Sequence, residues 1–164
     1  MAEIVVADAG PLIAFGRLDK LSLLGAIFDR VIVPQAVYEE TQSRPDLPDA
    51  LAIRGAVQSG SLNVVASAPE RTDLPVEIEL GDGEAAAIAL AARLGYGVLI
   101  DDSQGRAAAT LLKLRVIGTV GVLVLARERG LIPALAPLLE ALRASGYYLS
   151  EALIQAALQR VRES

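Results

Sequence analysis

Short apolar runs that end at acidic residues alternate with helical patterns along this chain, and this alternation limits the possible folds most strongly. Residues 4–7 end at Asp8, and residues 98–100 end at Asp101 and Asp102. Further strand-like runs occur at residues 31–33, 62–66 and 115–118. Strands that alternate with helices predict a parallel sheet covered on both faces, which is a three-layer α/β/α sandwich.

The stretch from residue 81 to residue 102 shows the pattern most completely. Residues 84–94 are good helix formers, with Asp82 expected as the N-cap and Gly95 as the residue that ends the helix. The apolar run 98–100 then favours a buried strand. Its carboxyl end carries an acidic pair, and in open parallel sheets ligands bind at that edge.

Helical patterns fill the other intervals. One begins at Leu12, one spans residues 21–28, and one is opened by Pro34 and contains Glu39 and Glu40. Three more have an expected cap at Asp49, Ser103 or Thr119, and two final helices are expected over residues 133–144 and 150–162. Residues 67–75 form a loop rich in proline and charge. Since no repeat or linker divides the 164 residues, we expect one domain over residues 1–164.

The chain is apolar for its size, with 53% hydrophobic residues and a mean hydropathy of +0.46. Charges nevertheless interrupt each apolar run before it reaches the ~18 residues of a membrane span. No basic segment followed by an apolar one opens the chain, so a cytoplasmic location is expected. Surplus apolar surface is readily covered by a second subunit, which favours a homodimer.

Cysteine and histidine are both absent. Disulfides, thiolate metal sites, imidazole ligands and histidine acid–base chemistry are therefore excluded. Chemistry in this chain has to rely on carboxylates. Oxygen ligands without nitrogen or sulfur favour Mg²⁺ or Mn²⁺ over zinc.

Right-handed crossovers bring the carboxyl ends of parallel strands to one edge, so Asp8, Asp101, Asp102 and Thr119 should share it. Glu84 can join them from the first turn of its helix. Each residue also has an ordinary structural explanation. A turn accounts for Asp8, the helix dipole accounts for Glu84, and capping accounts for one aspartate of the pair.

Clustered carboxylates repel one another, and each should have its pKa raised by its neighbours. A divalent cation would offset that repulsion and could activate water for attack on a phosphodiester, so we predict a Mg²⁺ or Mn²⁺ site. Arg106 could reach an anionic substrate at this edge, or simply pair with Asp102. Thr119 could hydrogen-bond a ligand or a site carboxylate, or act only as a cap.

With these residues identified, nearly the whole chain resembles the PIN-domain ribonucleases, especially the VapC-like toxins of toxin–antitoxin pairs. Residues 5–8 followed by 10–13 resemble the opening strand of that family, and the spacing from Pro34 through Val37 to Glu40 resembles its second acidic motif. Gly83-Glu84 and Asp101-Asp102 resemble the third and fourth motifs. Residues 118–126 resemble a largely uncharacterised branch.

The resemblance implies metal-dependent hydrolysis of RNA, a homodimer and inhibition by an antitoxin. It also implies a metal-binding quartet of Asp8, Glu40, Glu84 and Asp102, with Asp101 as a substitute or additional ligand. Spacing alone did not distinguish Glu40 from Glu39. One departure is Gly10, where PIN toxins usually carry a serine or threonine that supports the site. Two outcomes follow from this departure: either Thr119 compensates for the missing hydroxyl, or the activity is weak.

The net charge of −5 and the pI of about 4.8 oppose a broad basic surface for nucleic acid. A limited basic rim could come from Arg17, Lys20, Arg44, Arg106 and Lys113. A PIN scaffold that binds a protein partner and has lost efficient catalysis is therefore an alternative. A phosphohydrolase of the haloacid-dehalogenase type ranks last, because that class needs an aspartate at the position of Gly10.

Overall fold

A computed structural model of the chain describes residues 3–66, 74 and 79–163. Its strands are β1 Ile4–Ala7, β2 Arg30–Pro34, β3 Asn63–Val65, β4 Gly97–Leu99 and β5 Val116–Ile117. Its helices are α1 Ala9–Arg17, α2 Ser22–Ile27, α3 Gln35–Thr41, α4 Pro48–Gln58, α5 Asp82–Leu94, α6 Ser103–Leu111, α7 Thr119–Glu128, α8 Ala136–Ala144 and α9 Glu151–Arg160. The loop expected at residues 67–75 lies, apart from Leu74, outside the described residues.

The strands form one fully parallel sheet in the order β3-β2-β1-β4-β5. Val6 at the centre lies opposite Ile32 on one side and Val98 on the other. The chain moves outward from β1 to β3 and then crosses to the other side of β1. This reversal leaves a crevice at the carboxyl ends of β1 and β4, which is the usual ligand position in such sheets.

Helices cover both faces of the sheet. The two directions of crossover put their helices on opposite faces, because each crossover is right-handed. Helix α1 packs against α4, α3 and α7, whereas α5 packs against β1, β2, β4 and α6. Residues 5–7 of β1 are completely buried between these layers. The predicted α/β/α sandwich with a parallel central sheet is confirmed.

The alanine-rich helix α5 is buried along most of its length. Residues 85–91 are all buried, and small side chains let the helix approach the sheet, α3 and α6 closely. Gly95 ends the helix in the left-handed conformation, as the sequence predicted, with φ of +75°. This packing fixes the first turn of α5, and with it Glu84, at the sheet crevice.

Several helices begin at different residues from those expected. Helix α1 begins at Ala9 instead of Leu12, and Pro11 is tolerated because the first turn needs no N–H donor at that position. Helix α5 begins at Asp82, with Gly81 at the N-cap. Helix α6 is capped by Asp102 instead of Ser103, since the Asp102 carboxylate accepts a hydrogen bond from the Gly105 N–H.

Four further boundaries differ. Pro34 is the last residue of β2 and the N-cap of α3, instead of its first helical residue. Helix α4 begins at Pro48, so Asp49 lies in its first turn. Thr119 is the first residue of α7, with Gly118 at the N-cap position. Helix α9 begins at Glu151 instead of Ser150, and Ser150 caps it by accepting from the Leu153 N–H. No helix among the described residues is long and apolar enough to cross a membrane.

Candidate functional site

Asp8 lies between β1 and α1 and is only 6% exposed. Its backbone N–H donates to the Leu99 carbonyl at 2.9 Å, which ties the end of β1 to β4. Its side-chain Oδ1 is buried without a hydrogen-bond partner among the described residues. The pKa of Asp8 is raised to about 6, first by burial and then by the charges of Glu40, Asp102 and Asp101, while the nearby Ala9 N–H lowers it.

Glu84 and Asp102 form a coupled carboxyl pair. Burial raises the pKa of Glu84 to about 7, and the hydrogen bond and charge of Asp102 contribute in the same direction. The pKa of Asp102 is lowered, first by the hydrogen bond from Glu84 and then by the Gly105 N–H at 2.9 Å. A proton at neutral pH therefore resides mainly on Glu84. Glu84 Oε2 is buried and, in the described part of the chain, has no hydrogen-bond partner.

This lowered pKa corrects one expectation. Mutual repulsion was expected to raise the pKa of every clustered carboxylate. Instead, burial is the largest cause for Asp8 and Glu84, and Asp102 shifts the other way because it accepts hydrogen bonds. Which group keeps the proton is decided by burial and hydrogen bonding.

Glu40 reaches the site from α3 on the exposed side. Its Oε2 lies against Gly83 of α5, where an added Cβ would be only 3.0 Å away. Gly105 is similarly close to Glu84, since a Cβ there would lie 3.2 Å from Oε2 and 2.4 Å from Ile100 Cδ1. Both glycines therefore make room for a neighbouring side chain at the site.

All five expected carboxylates line one open cavity of about 450 Å³ at the crevice. It is lined by Asp8, Ala9, Gly10, Ile13, Glu40, Ser43, Glu84, Asp101, Asp102 and Tyr147. Across residues 3–66, 74 and 79–163, no group of three or more His, Cys, Asp or Glu side chains already lies in positions that could hold a metal ion. The donors converge on the cavity without forming a finished coordination shell. Their assignment as metal ligands stays a prediction.

Asp101 has its carboxylate already engaged. Oδ1 accepts from the Thr119 N–H at 2.7 Å, and Oδ2 accepts from the Thr119 hydroxyl at 2.6 Å and from the Tyr147 hydroxyl. The Thr119 N–H lies in the first turn of α7, where the helix itself offers no acceptor, and Asp101 at the end of the neighbouring strand β4 accepts its hydrogen bond. Thr119 was expected to contact a ligand, contact a site carboxylate or act only as a cap. It is completely buried, and the structure shows its hydrogen bond to a site carboxylate.

Arg106 is exposed on α6, beside the cavity. A Cβ on Gly118 would lie 2.7 Å from Arg106 Nη1 and 2.9 Å from Asp101 Oδ1, so guanidinium and carboxylate sit on either side of this glycine. None of the ion pairs between described residues includes Arg106, and its expected pairing with Asp102 is not formed. Arg106 also lines two adjoining cavities of about 480 and 540 Å³.

The sequence model of the family DUF3368, described as a PIN domain, matches residues 4–163. The chain belongs to this PIN-domain family. PIN domains are generally nucleases and typically use divalent metals, which agrees with carboxylates gathered at the sheet crevice. The resemblance found in the sequence is thereby confirmed at the level of the PIN domain.

Two other comparisons were made. No curated protein matches the chain significantly. Among solved structures, a PilT N-terminus domain protein from the hyperthermophilic archaeon Sulfolobus solfataricus is similar at 18% identity and a TM-score of 0.43. That match covers 73% of this chain and 89% of the archaeal one. Membership of the PIN family therefore rests on the family model.

Sequence reasoning missed three residues of this PIN domain's cavity region, namely Gly83, Gly105 and Tyr147. Gly83 was visible only as part of the motif with Glu84, and Gly105 stands three residues after Asp102; nothing local indicated that a side chain from elsewhere approaches either glycine. Tyr147 stands 46 residues from Asp101, to which it donates its hydrogen bond. The absence of a side chain at Gly10 was the one available signal, because it leaves room for a group from another element.

Proposed function

We propose that this PIN domain is a Mg²⁺- or Mn²⁺-dependent endoribonuclease that hydrolyses RNA phosphodiesters. The observation that carries the proposal is that Asp8 Oδ1 and Glu84 Oε2 are buried without partners among the described residues, while both side chains line one open cavity. Buried polar atoms in native proteins are normally satisfied, and an unmet carboxylate oxygen is costly. A divalent cation in this cavity would supply the missing interaction.

The donor set fits such a cation. Asp8, Glu84 and Asp102 would hold it from the crevice, and Glu40 from the exposed side. Only carboxylate oxygens are offered, which suits Mg²⁺ or Mn²⁺. When bound, the cation supplies stabilisation of the charge that develops on the phosphate and activation of water. We assign Asp101 an orienting role because Thr119 and Tyr147 already donate to its oxygens.

On the substrate side, Arg106 is placed to hold a phosphate of the RNA strand. Its guanidinium has no carboxylate partner in the described ion pairs, and it lines two cavities that share Asp101 with the carboxylate cavity. Guanidinium groups bind phosphate oxygens in a bidentate geometry. With a net charge of −5, RNA binding should be weak, because few cationic groups contact the phosphates. Arg106→Ala should therefore raise KM more than it lowers kcat.

The test is cleavage of mixed RNA substrates by purified, partner-free protein with Mn²⁺ or Mg²⁺. Cleavage should disappear with EDTA and in Asp8→Asn. Glu39→Gln is a control for the loss of a carboxylate elsewhere, since Glu39 is exposed on α3 and does not line the cavity. Cleavage that survives both EDTA and Asp8→Asn would refute a carboxylate–metal nuclease.

We further propose that the protein is the toxin of a toxin–antitoxin pair and a homodimer. The VapC-like resemblance supports the toxin role. Exposed leucines supply apolar surface for a second subunit, such as Leu47 at the N-cap of α4, 40% exposed, and Leu51 within α4, 51% exposed. Light scattering of the purified protein should give twice the monomer mass. Co-expression with the adjacent reading frame should yield a complex in which RNA cleavage is inhibited.

A second candidate function is a catalytically weak PIN scaffold that binds a protein partner. Two observations favour it. Among the described residues, no three acidic side chains already surround one point where a metal ion could bind. Gly10 also stands where PIN toxins usually carry a serine or threonine that supports the site. This candidate predicts a folded protein that cleaves no RNA with either cation, yet retains a partner on co-purification. RNA cleavage that depends on Asp8 would exclude it.

A further inference from the structure

Tyr147 is held in place by the segment that connects α8 to α9. Its backbone N–H donates to the Leu142 carbonyl at 3.1 Å, and its ring packs half-buried against the core. Gly146 turns the chain there with φ of +91°, a conformation that favours glycine. Arg17 of α1 donates to the Ser145 carbonyl at 3.2 Å and ties the same segment to α1. The Tyr147 side chain thus reaches the carboxylate cavity from a segment that hydrogen bonds connect to α8 and α1.

The Tyr147 hydroxyl lies close to two groups at the cavity, the Asp101 carboxylate and Gly10. It donates a hydrogen bond to Asp101 Oδ2, the oxygen that also accepts from the Thr119 hydroxyl. Burial and the charge of Asp101 raise the pKa of Tyr147, so the hydroxyl keeps the proton that it donates. The same hydroxyl lies 3.3 Å from the position that a Cβ on Gly10 would occupy. A side chain at position 10 and this hydroxyl therefore compete for one space.

We propose that Tyr147 is a positioning residue of the metal-dependent site, and that its hydroxyl takes the place of a side-chain hydroxyl at position 10. The proposal rests on the proposed function. Together with Thr119, Tyr147 fixes the Asp101 carboxylate on the cavity wall. Asp102 follows directly in the chain and caps α6, so a fixed Asp101 also fixes the direction from which Asp102 enters the cavity.

An exchange of the hydroxyl between the two positions tests this arrangement. Tyr147→Phe removes the hydroxyl and keeps the ring. Gly10→Ser introduces a hydroxyl one bond beyond a Cβ that lies 3.3 Å from the Tyr147 oxygen, so it reaches the same space. The double variant therefore has one hydroxyl there again. Tyr148→Phe is the matched control, because Tyr148 is the next residue and 84% exposed.

The first measurement is Mn²⁺ binding by calorimetry, followed by kcat and KM for RNA cleavage. Removing a hydrogen-bond partner of a metal ligand typically costs about 10-fold or more in metal affinity; because Tyr147 acts through Asp101, one step further from the ion, the loss expected for Tyr147→Phe is up to about 10-fold. The double variant should recover most of that affinity, and the loss in cleavage should appear in kcat. Tyr148→Phe should match the wild type. Equal Mn²⁺ affinities for Tyr147→Phe and the wild type would overturn the proposal.

The two proposals can fail separately. If the wild type binds no Mn²⁺, the proposed function fails, and the shared space is then judged from unfolding in denaturant. Gly10→Ser should destabilise the wild type, where the new side chain meets the Tyr147 hydroxyl, and should cost less in the Tyr147→Phe background. The same cost in both backgrounds would show that the two positions do not share the space and would refute the role of Tyr147.

Discussion

Asp8→Asn should stabilise the metal-free protein at neutral pH although it removes metal binding. The Asp8 carboxyl is 6% exposed, and its pKa is raised from the ordinary 3.8 to about 6, first by burial. The folded state therefore holds this proton more tightly than the unfolded state does. The resulting stability is fully present below about pH 4 and is lost as the pH rises through about 6.

The size of the effect follows from the same pKa values. At about 1.4 kcal/mol per pKa unit, the difference between 3.8 and about 6 corresponds to about 3 kcal/mol. Asparagine has a similar shape and no charge to bury, so at pH 8 the variant avoids this cost. For a chain of 164 residues, 1 kcal/mol shifts Tm by about 2–4 °C, which gives an increase of about 6–12 °C.

The assay is thermal unfolding in EDTA, at pH 4.5 and at pH 8, of the wild type, Asp8→Asn and the control Asp46→Asn. Asp46 is exposed and does not line the cavity. Comparing variants at each pH cancels groups distant from the site, whereas loss of the Asp8 charge also removes one cause of the raised pKa of Glu84, which adds to the stabilisation at pH 8. Asp8→Asn should gain Tm over the wild type at pH 8 and much less at pH 4.5. The same Tm difference at both pH values would refute the reasoning.

Three further predictions concern the same site. Mn²⁺ at 100 times its Kd should stabilise the wild type at pH 8 by about 2.7 kcal/mol. The measurement is an increase in Tm that EDTA reverses. An unchanged Tm in millimolar Mn²⁺ would count against the metal site. Glu40→Gln should lower RNA cleavage by about 10-fold or more, while Glu39→Gln leaves it unchanged; equal effects would contradict the choice of Glu40. Gly83→Ala should lower cleavage by displacing Glu40, since the new Cβ lies 3.0 Å from Glu40 Oε2. The control is Gly25→Ala, because open space surrounds Gly25. This control should keep full activity, and its free energy of unfolding in denaturant should increase by about 0.5–1 kcal/mol. Full activity in Gly83→Ala would show that Glu40 does not need its observed position.

The strands could be predicted because their signal is local. The apolar run of β1 has the predicted bounds, and β2 to β5 each overlap the run expected for them. Short runs of β-branched residues between turn residues favour buried parallel strands whatever their neighbours are. Parallel strands also require right-handed crossovers, so the sandwich and its ligand-binding edge followed from the order of elements.

Helix starts were harder to predict because capping groups compete in space as well as in sequence. Asp102 and Ser103 are both good caps, and only the folded backbone selects Asp102 for α6. At α7, the acceptor for the Thr119 N–H is Asp101, which stands 18 residues earlier at the end of β4. No pattern along the chain distinguishes such a long-range acceptor from an ordinary surface aspartate.

For the candidate site, the sequence by itself determined the chemistry. A chain without histidine or cysteine, with aspartates after β1 and β4, offers carboxylates at one edge of the sheet. The tertiary structure alone decided how those carboxylates differ. Burial leaves Asp8 Oδ1 and Glu84 Oε2 without partners among the described residues, and Thr119 and Tyr147 engage Asp101. The reason is physical: residue type and local pattern are properties of the chain, but burial and hydrogen-bond partners depend on which distant elements meet.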